Sequence, residues 1–178
     1  MAVIQQRQLR NVSSLTGERA QQLREAYQRN ASSAQMAHDI MSRLANEGRG
    51  AETAVFFSAH SGSISGNSPQ YRQLVELANA INRGRQNRKV IIMTQGAASE
   101  HGPEAGNPAL AQKRAESALN VMDQLLSNVP REMYQVAGGS PMYVAPRSDK
   151  VGYDAQQYAR VTAVYEGAYD ASATSSAY

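Results

Sequence analysis

The spacing of hydrophobic and polar residues changes near residue 50. Before that point, apolar residues recur every three or four positions, over 17–29 and again over 32–44. This spacing predicts two short amphipathic helices, the second ended by Gly48 and Gly50. The apolar stripe of the second helix comprises Met36, Ala37, Ile40, Met41 and Leu44. Such narrow faces cannot sustain a domain, so we expect these helices to pack on the rest of the chain or on a partner.

After residue 50, short runs of β-branched and apolar residues alternate with helical segments. The predicted strands lie near 53–58, 89–95, 133–137 and 159–166. Helices are predicted near 69–83 and 108–127, each beginning at a proline. Strands joined by single helices favour parallel crossovers. The predicted fold class is therefore α/β (α+β), a βαβαββ mixed sheet with helices on one face, preceded by the two N-terminal helices.

The length of 178 residues suits one domain with an extension. We expect a helical extension over 1–50, the α/β domain over 51–168, and a flexible Ala- and Ser-rich tail over 169–178. No window approaches the ~18 apolar residues of a membrane span. The first residues lack the apolar core of a signal peptide, so we expect a protein that stays inside the cell or one whose export signal was removed.

The amino-acid composition excludes several kinds of functional site. The chain has no cysteine, which excludes disulfides, thiolate metal sites and cysteine nucleophiles. Its net charge of +3 includes a cluster at Arg83, Arg85, Arg88 and Lys89. Because no aromatic residues interleave with this cluster, it is interpreted as a solvated loop after a helix, and no nucleic-acid partner is predicted.

No catalytic constellation is apparent. The three histidines, His38, His60 and His101, share no metal-binding spacing, and His38 is expected at the surface of its helix. The 61–66 loop has a phosphate-loop composition without the Lys-Ser/Thr pair that grips phosphate. We therefore predict a protein that is not an enzyme and that has no metal or cofactor.

The stretch 96–115 carries the most specific pattern. A glycine ends the second strand, a second glycine follows, and Asn-x-x-Leu-x-x-x-Arg-Ala opens a helix. The matching residues are Gly96, Gly102, Asn107, Leu110, Arg114 and Ala115. This pattern resembles the signature of the OmpA-like family, also described as OmpA/MotB C-terminal. The resemblance covers roughly 50–168 and includes the Gly-Gly-Ser-Pro run at 138–141 and Arg160-Val161.

The resemblance implies a ligand. Domains of this family bind the diaminopimelate of peptidoglycan, with an Asp holding its ammonium group and an Arg pairing with a carboxylate, assisted by backbone N–H groups. Such a zwitterion suits one fixed anion and one planar cation. The candidate site residues are Arg114, Asn107, Ser99, Glu100, Gly102 and Arg160.

This chain departs from the family pattern at several positions. Ser99 stands where the family has the Asp, so Glu100 or Glu104 would have to supply the anion. Tyr158 and Ala159 replace the Asn and the first Arg that precede Arg160 in the family pattern.

The sequence thus predicts a non-catalytic structural subunit of a bacterial cell-envelope assembly, such as a secretion-system outer-membrane complex. Its expected partners are peptidoglycan and other envelope subunits, and its expected location is the periplasm, with outer-membrane association left open. Two alternatives remain. One is the same fold used only for protein–protein packing, and the other is a cytoplasmic α/β enzyme or nucleotide binder.

Overall fold

The computed structural model describes residues 3–7, 31–58, 60–98, 108–139 and 157–166. The strands are β1 (Val3–Arg7), β2 (Gly50–Phe56), β3 (Val90–Ala97), β4 (Arg131–Gly139) and β5 (Tyr158–Tyr165). The helices are α1 (Ala31–Leu44), α2 (Pro69–Gly84) and α3 (Pro108–Leu125), and a π-helical turn, Ala45–Arg49, follows α1. The order β2-α2-β3-α3-β4-β5 confirms the predicted βαβαββ arrangement.

The five strands form one sheet in the order β1-β4-β3-β5-β2. Strands β3 and β4 pair in parallel, whereas β5 is antiparallel to both β3 and β2. Strands β2, β3 and β4 therefore point the same way and finish where β5 begins. This end is called the carboxyl end of the sheet below, and it is where ligands bind in many open α/β sheets.

Strand β1 is an addition that the sequence analysis did not predict. It pairs antiparallel with β4, from Val3 opposite Ala137 to Arg7 opposite Met133. A five-residue strand that contains Val-Ile followed by Gln-Gln-Arg has too short an apolar pattern to stand out. Its pairing with the edge of β4 depends on the tertiary fold and cannot be predicted from the local sequence.

Helices α2 and α3 cover the same face of the sheet, as predicted. Helix α2 begins at Pro69, and the hydroxyl of Ser68 accepts a hydrogen bond from the backbone N–H of Tyr71 to cap it. The core residues on this face are Leu74, Leu77, Ile81, Ile92, Ala118, Leu119, Met122, Met133, Val161 and Ala163. Each large apolar side chain buried there stabilises the fold by roughly 1.5–3 kcal/mol.

Helix α1 packs on the opposite face of the sheet, mainly against β5. Ala37, Met41 and Leu44 are buried, which confirms that this part of the N-terminal region packs on the domain. Met36 and Ile40 are 65% and 37% exposed, so only part of the predicted stripe faces the sheet. Gly48, with φ of 86°, ends the helical region as predicted. The helix predicted over 17–29 lies outside the described residues.

His38 was expected at the surface, and that expectation is wrong. Its side chain is fully buried, and Nε2 lies 2.8 Å from Oγ1 of Thr162 on β5. Thr162 in turn donates a hydrogen bond to Oε2 of Glu52 on β2. The face of the sheet beneath α1 thus carries polar side chains that bind one nitrogen of a buried imidazole, which helical spacing alone does not reveal.

The basic cluster is only partly a solvated loop. Lys89 is 3% exposed and its Nζ lies 3.4 Å from Oε2 of Glu132. Arg88 donates hydrogen bonds to the carbonyls of Gly84 and Arg85, and its guanidinium lies 5.0 Å from the ring centroid of Tyr165. These side chains organise the turn between α2 and β3.

None of the helices that the structure describes is long and apolar enough to cross a membrane.

Candidate functional site at the carboxyl end of the sheet

The site is built around a close approach between β3 and α3 at Gly96. A Cβ atom on Gly96 would lie 1.8 Å from the carbonyl oxygen of Ala111 and 2.9 Å from the backbone nitrogen of Ala115. Only glycine permits this contact, because both neighbours are backbone atoms. Strand β3 runs through Ala97, two residues beyond the end that was predicted near residue 95. Arg114 lies on the same face of α3 as Ala111 and Ala115. The contact therefore places Arg114 over the carboxyl end of the sheet.

Arg114 is fully buried, and its side chain contacts several segments of the chain. Its guanidinium donates to the carbonyl oxygens of Ser61 (2.8 Å), Ala97 (2.9 Å) and Ser58 (3.2 Å), and to Oε1 of Gln157 (2.5 Å). These four acceptors come from the loop after β2, the end of β3 and the residue before β5. Arg114 therefore ties together the three segments that meet at the carboxyl end, using the multidonor geometry of its guanidinium.

The loop after β2 is attached to α3 at further points. The guanidinium of Arg114 lies 5.4 Å from the ring centroid of Phe57, a cation–π contact. Ser117 donates its hydroxyl hydrogen bond to the carbonyl of Gly62, and a Cβ on Gly62 would lie 3.0 Å from Cγ of Lys113. The carbonyl oxygens of Ser61 and Gly62 thus face α3. A phosphate cradle presents N–H groups instead, so this geometry disfavours the nucleotide-binding alternative.

Gln157 is a site residue that the sequence analysis missed. Its side chain is fully buried, and its backbone carbonyl accepts a hydrogen bond of 2.8 Å from the N–H of Phe57. Its Oε1 accepts from Arg114, whereas its Nε2 has no hydrogen-bond partner among the residues that the structure describes. No local pattern marks this glutamine, because its importance depends on Arg114, 43 residues away.

Arg160 lies on the other face of the sheet. It sits opposite Gln95 in the β3–β5 register, and its Nη2 donates to Oε1 of Gln95 (3.1 Å) and Oδ1 of Asp39 (3.4 Å). Its guanidinium is therefore held between the sheet and α1, whereas Arg114 projects from α3 on the first face. The structure does not bring these two candidate arginines together.

The remaining candidate residues fall outside the described part of the chain. They are Ser99, Glu100, Gly102 and Asn107, together with Glu104 and His101. Of the sequence signature, the structure describes Gly96, Leu110, Arg114 and Ala115, and it places Gly96 and Arg114 at one location. Within the described residues, no group of three or more His, Asp or Glu side chains is arranged to hold a metal ion.

Comparison with solved structures identifies the fold. The periplasmic domain of MotB from Helicobacter pylori matches with a TM-score of 0.50 and 18% identity, covering 72% of this chain and 91% of that chain. Another periplasmic domain of MotB (residues 64–256) matches with a TM-score of 0.50 and 19% identity, covering 72% of this chain and 70% of that chain. The cell wall anchor of the T6SS from Pseudomonas aeruginosa gives a TM-score of 0.46 and 14% identity, covering 71% and 96%.

No protein-family model and no curated protein matches the chain. This chain has the OmpA-like fold, as the signature at 96–115 predicted.

Proposed function

We propose that this protein is a non-catalytic structural subunit of the bacterial cell envelope that associates with peptidoglycan through the carboxyl end of its sheet. One observation carries the proposal. Gly96 and Arg114, two residues of the signature that resembles peptidoglycan-binding domains, meet at this end of the sheet. The close backbone approach at Gly96 fixes Arg114 beside the carbonyl of Ala97, at the end of β3.

The electrostatics of this end suit a carboxylate. Arg114 carries a permanent positive charge and donates to three carbonyl oxygens and to Oε1 of Gln157. Helix α3 begins at Pro108, so the positive end of its dipole also faces this side of the sheet. A wall peptide that presents a free carboxylate and an ammonium group would be oriented by this field, with its carboxylate toward α3.

The periplasm is the proposed location. The MotB domains that share this fold are described as periplasmic, and peptidoglycan lies in that compartment. We further propose that the protein belongs to a larger envelope assembly, such as a secretion-system outer-membrane complex, and that other subunits contact its surface.

Co-sedimentation with purified, insoluble peptidoglycan tests the proposal. We expect the wild-type protein to enter the pellet and to be released by an excess of free diaminopimelate. Arg83→Ala is a control for non-specific attraction by surface charge, because Arg83 is an exposed arginine in the last turn of α2, at the opposite end of the sheet. That variant should sediment as the wild type does. A wild-type protein that remains in the supernatant would overturn the proposal.

A second candidate function is packing within an assembly without wall binding. It is favoured by the enclosure of Arg114 and by three exposed apolar side chains, Phe56 at 53%, Met36 at 65% and Ile40 at 37%. This candidate predicts that the protein stays in the supernatant when insoluble peptidoglycan is sedimented. It also predicts that replacing Phe56 and Met36 by Ser abolishes incorporation into a purified envelope assembly without changing the thermal stability.

A further inference from the structure

Gln157 holds a buried hydrogen-bond donor that no described residue uses. The side chain is fully buried, and Nε2 has no partner among the described residues. Buried donors are nearly always satisfied, because an unsatisfied one costs free energy. We propose that Nε2 of Gln157 donates a hydrogen bond to a carboxylate oxygen of the wall peptide. This inference rests on the proposed function and names the residue that contacts the ligand.

The hydrogen bond with Arg114 determines the orientation of the side-chain amide of Gln157. An arginine guanidinium can only donate, so the atom that faces Nη1 of Arg114 must be Oε1 and not Nε2. The backbone of Gln157 is held independently by the hydrogen bond from the N–H of Phe57 to its carbonyl. The Nε2 group is therefore directed away from Arg114 in a geometry that exists before any ligand arrives, which reduces the entropic cost of binding.

Arg114 is then a positioning residue for this amide. Its donors are engaged by carbonyl oxygens and by Oε1 of Gln157, so it holds the glutamine and the loop after β2 in place. A cation that binds the amide oxygen polarises the amide and makes its N–H groups stronger donors. Such a donor is best matched by an anionic acceptor, and an ammonium group cannot be the partner because it has no lone pair that could accept.

The substitution Gln157→Glu separates a ligand-binding role from a structural one. The carboxylate keeps the shape of the side chain and the acceptor for Arg114, but it replaces the Nε2 donor with an oxygen. We expect the melting temperature to be maintained or raised. We expect binding to insoluble peptidoglycan to fall by about tenfold or more, since a lost charge-assisted hydrogen bond is accompanied by repulsion. An amide with only a structural role would leave binding unchanged.

Gln86→Glu is the matched control. Gln86 is exposed in the turn between α2 and β3, at the opposite end of the sheet, and the change adds the same charge. Peptidoglycan binding by this variant should equal that of the wild type, and the loss in Gln157→Glu should persist at 0.5 M salt, at which long-range repulsion is screened. If wild type and Gln157→Glu bind equally, the inference is overturned and the proposed function stands. If the wild type does not bind, the proposed function fails and the inference fails with it.

A second measurement does not depend on the folding of a variant. The side-chain NH₂ resonances of Gln157 should shift when a soluble wall peptide containing diaminopimelate is added to the wild-type protein. A shift of the neighbouring backbone amides with no change in these two resonances would show that the ligand binds without Gln157.

Discussion

The Nε2 atom of His38 lies 2.8 Å from Oγ1 of Thr162, and this contact joins α1 to β5 across 124 positions in the sequence. Because the Thr162 hydroxyl donates its only hydrogen to Glu52, His38 must donate from Nε2. The cation would carry a second N–H at Nδ1, which would be buried without an acceptor among the described residues. The arrangement therefore accommodates the neutral imidazole and not the cation.

The first prediction concerns the pH dependence of stability. Burial, followed by the nearby charge of Arg160, holds the pKa of His38 well below its ordinary value of 6.5. Since the unfolded chain then takes up the proton first, the free energy of unfolding should be highest above pH 6.5 and should decrease as the pH falls below it, by up to about 1.4 kcal/mol per pH unit. Urea denaturation between pH 7.5 and 5 measures this slope.

His38→Gln provides the comparison for that slope, because it does not titrate. The variant should show a shallower slope than the wild type over the same range, whereas replacing the exposed His60 by Gln controls for the removal of an imidazole. Glu52, Asp39 and Arg160 surround the His38 network and remain in both proteins. Identical slopes for wild type and His38→Gln would show that His38 does not contribute to the acid sensitivity.

The second prediction concerns Gly96. Gly96→Ala places a Cβ against the backbone of α3, with Ala111 O only 1.8 Å from the ideal position, so α3 must move away from the sheet. We expect a loss of about 3 kcal/mol in the free energy of unfolding. Gly66→Ala is the control, since nothing lies within 4 Å of its Cβ position, and it should change stability by less than about 0.5 kcal/mol. Equal effects of the two substitutions would contradict the close approach.

Periodicity predicted much of the fold. The four strands and two helices after residue 50 follow from apolar spacing, because burial on one face imposes that spacing locally. Two residues of the signature at 96–115, Gly96 and Arg114, lie close together in the fold, because the backbone contact between β3 and α3 requires glycine at this point. Both are constraints that act over few residues, and both can therefore be recognised in the sequence.

The features that were not predicted from the sequence have one reason in common. His38 and Lys89 are polar and were expected at the surface, but each is buried by a partner distant in sequence, Thr162 and Glu132 respectively. Gln157 carries no local signal, because only the fold brings it to Arg114. Strand β1 depends on main-chain pairing with β4. Burial of a polar group is decided by its partner, and a single segment does not contain that information.

The third prediction concerns the buried pair Lys89–Glu132, whose side chains are 2% and 4% exposed. Lys89→Met leaves the carboxylate of Glu132 buried without this cation and should cost about 3–5 kcal/mol of stability. The double variant Lys89→Met/Glu132→Leu removes both charges and should be more stable than Lys89→Met alone. Chemical denaturation of the wild type, both single variants and the double variant measures the coupling. Strictly additive losses would contradict a direct interaction.

The fourth prediction uses a gain of function. The resemblance to the OmpA-like family puts an Asp where this chain has Ser99, and that Asp is the ammonium-binding group of the family. Ser99→Asp should therefore strengthen co-sedimentation with insoluble peptidoglycan by about tenfold, the worth of one charge-assisted hydrogen bond. Ser99→Asn, which lacks the charge, is the matched control and should have a smaller effect. If Asp and Asn have the same effect, the ammonium is not recognised at this position.

NMR can locate the bound ligand on the protein and so tests peptidoglycan binding most directly. A soluble wall peptide that carries diaminopimelate is titrated into the labelled protein, and the backbone amide resonances are followed. We expect concentration-dependent shifts at the carboxyl end of the sheet, in residues 57–62, 96–98 and 157–158, with residues 84–89 at the opposite end unchanged. Shifts confined to residues 84–89 or to α1, or no shifts at millimolar ligand, would contradict the claim that this protein holds peptidoglycan at the carboxyl end of its sheet.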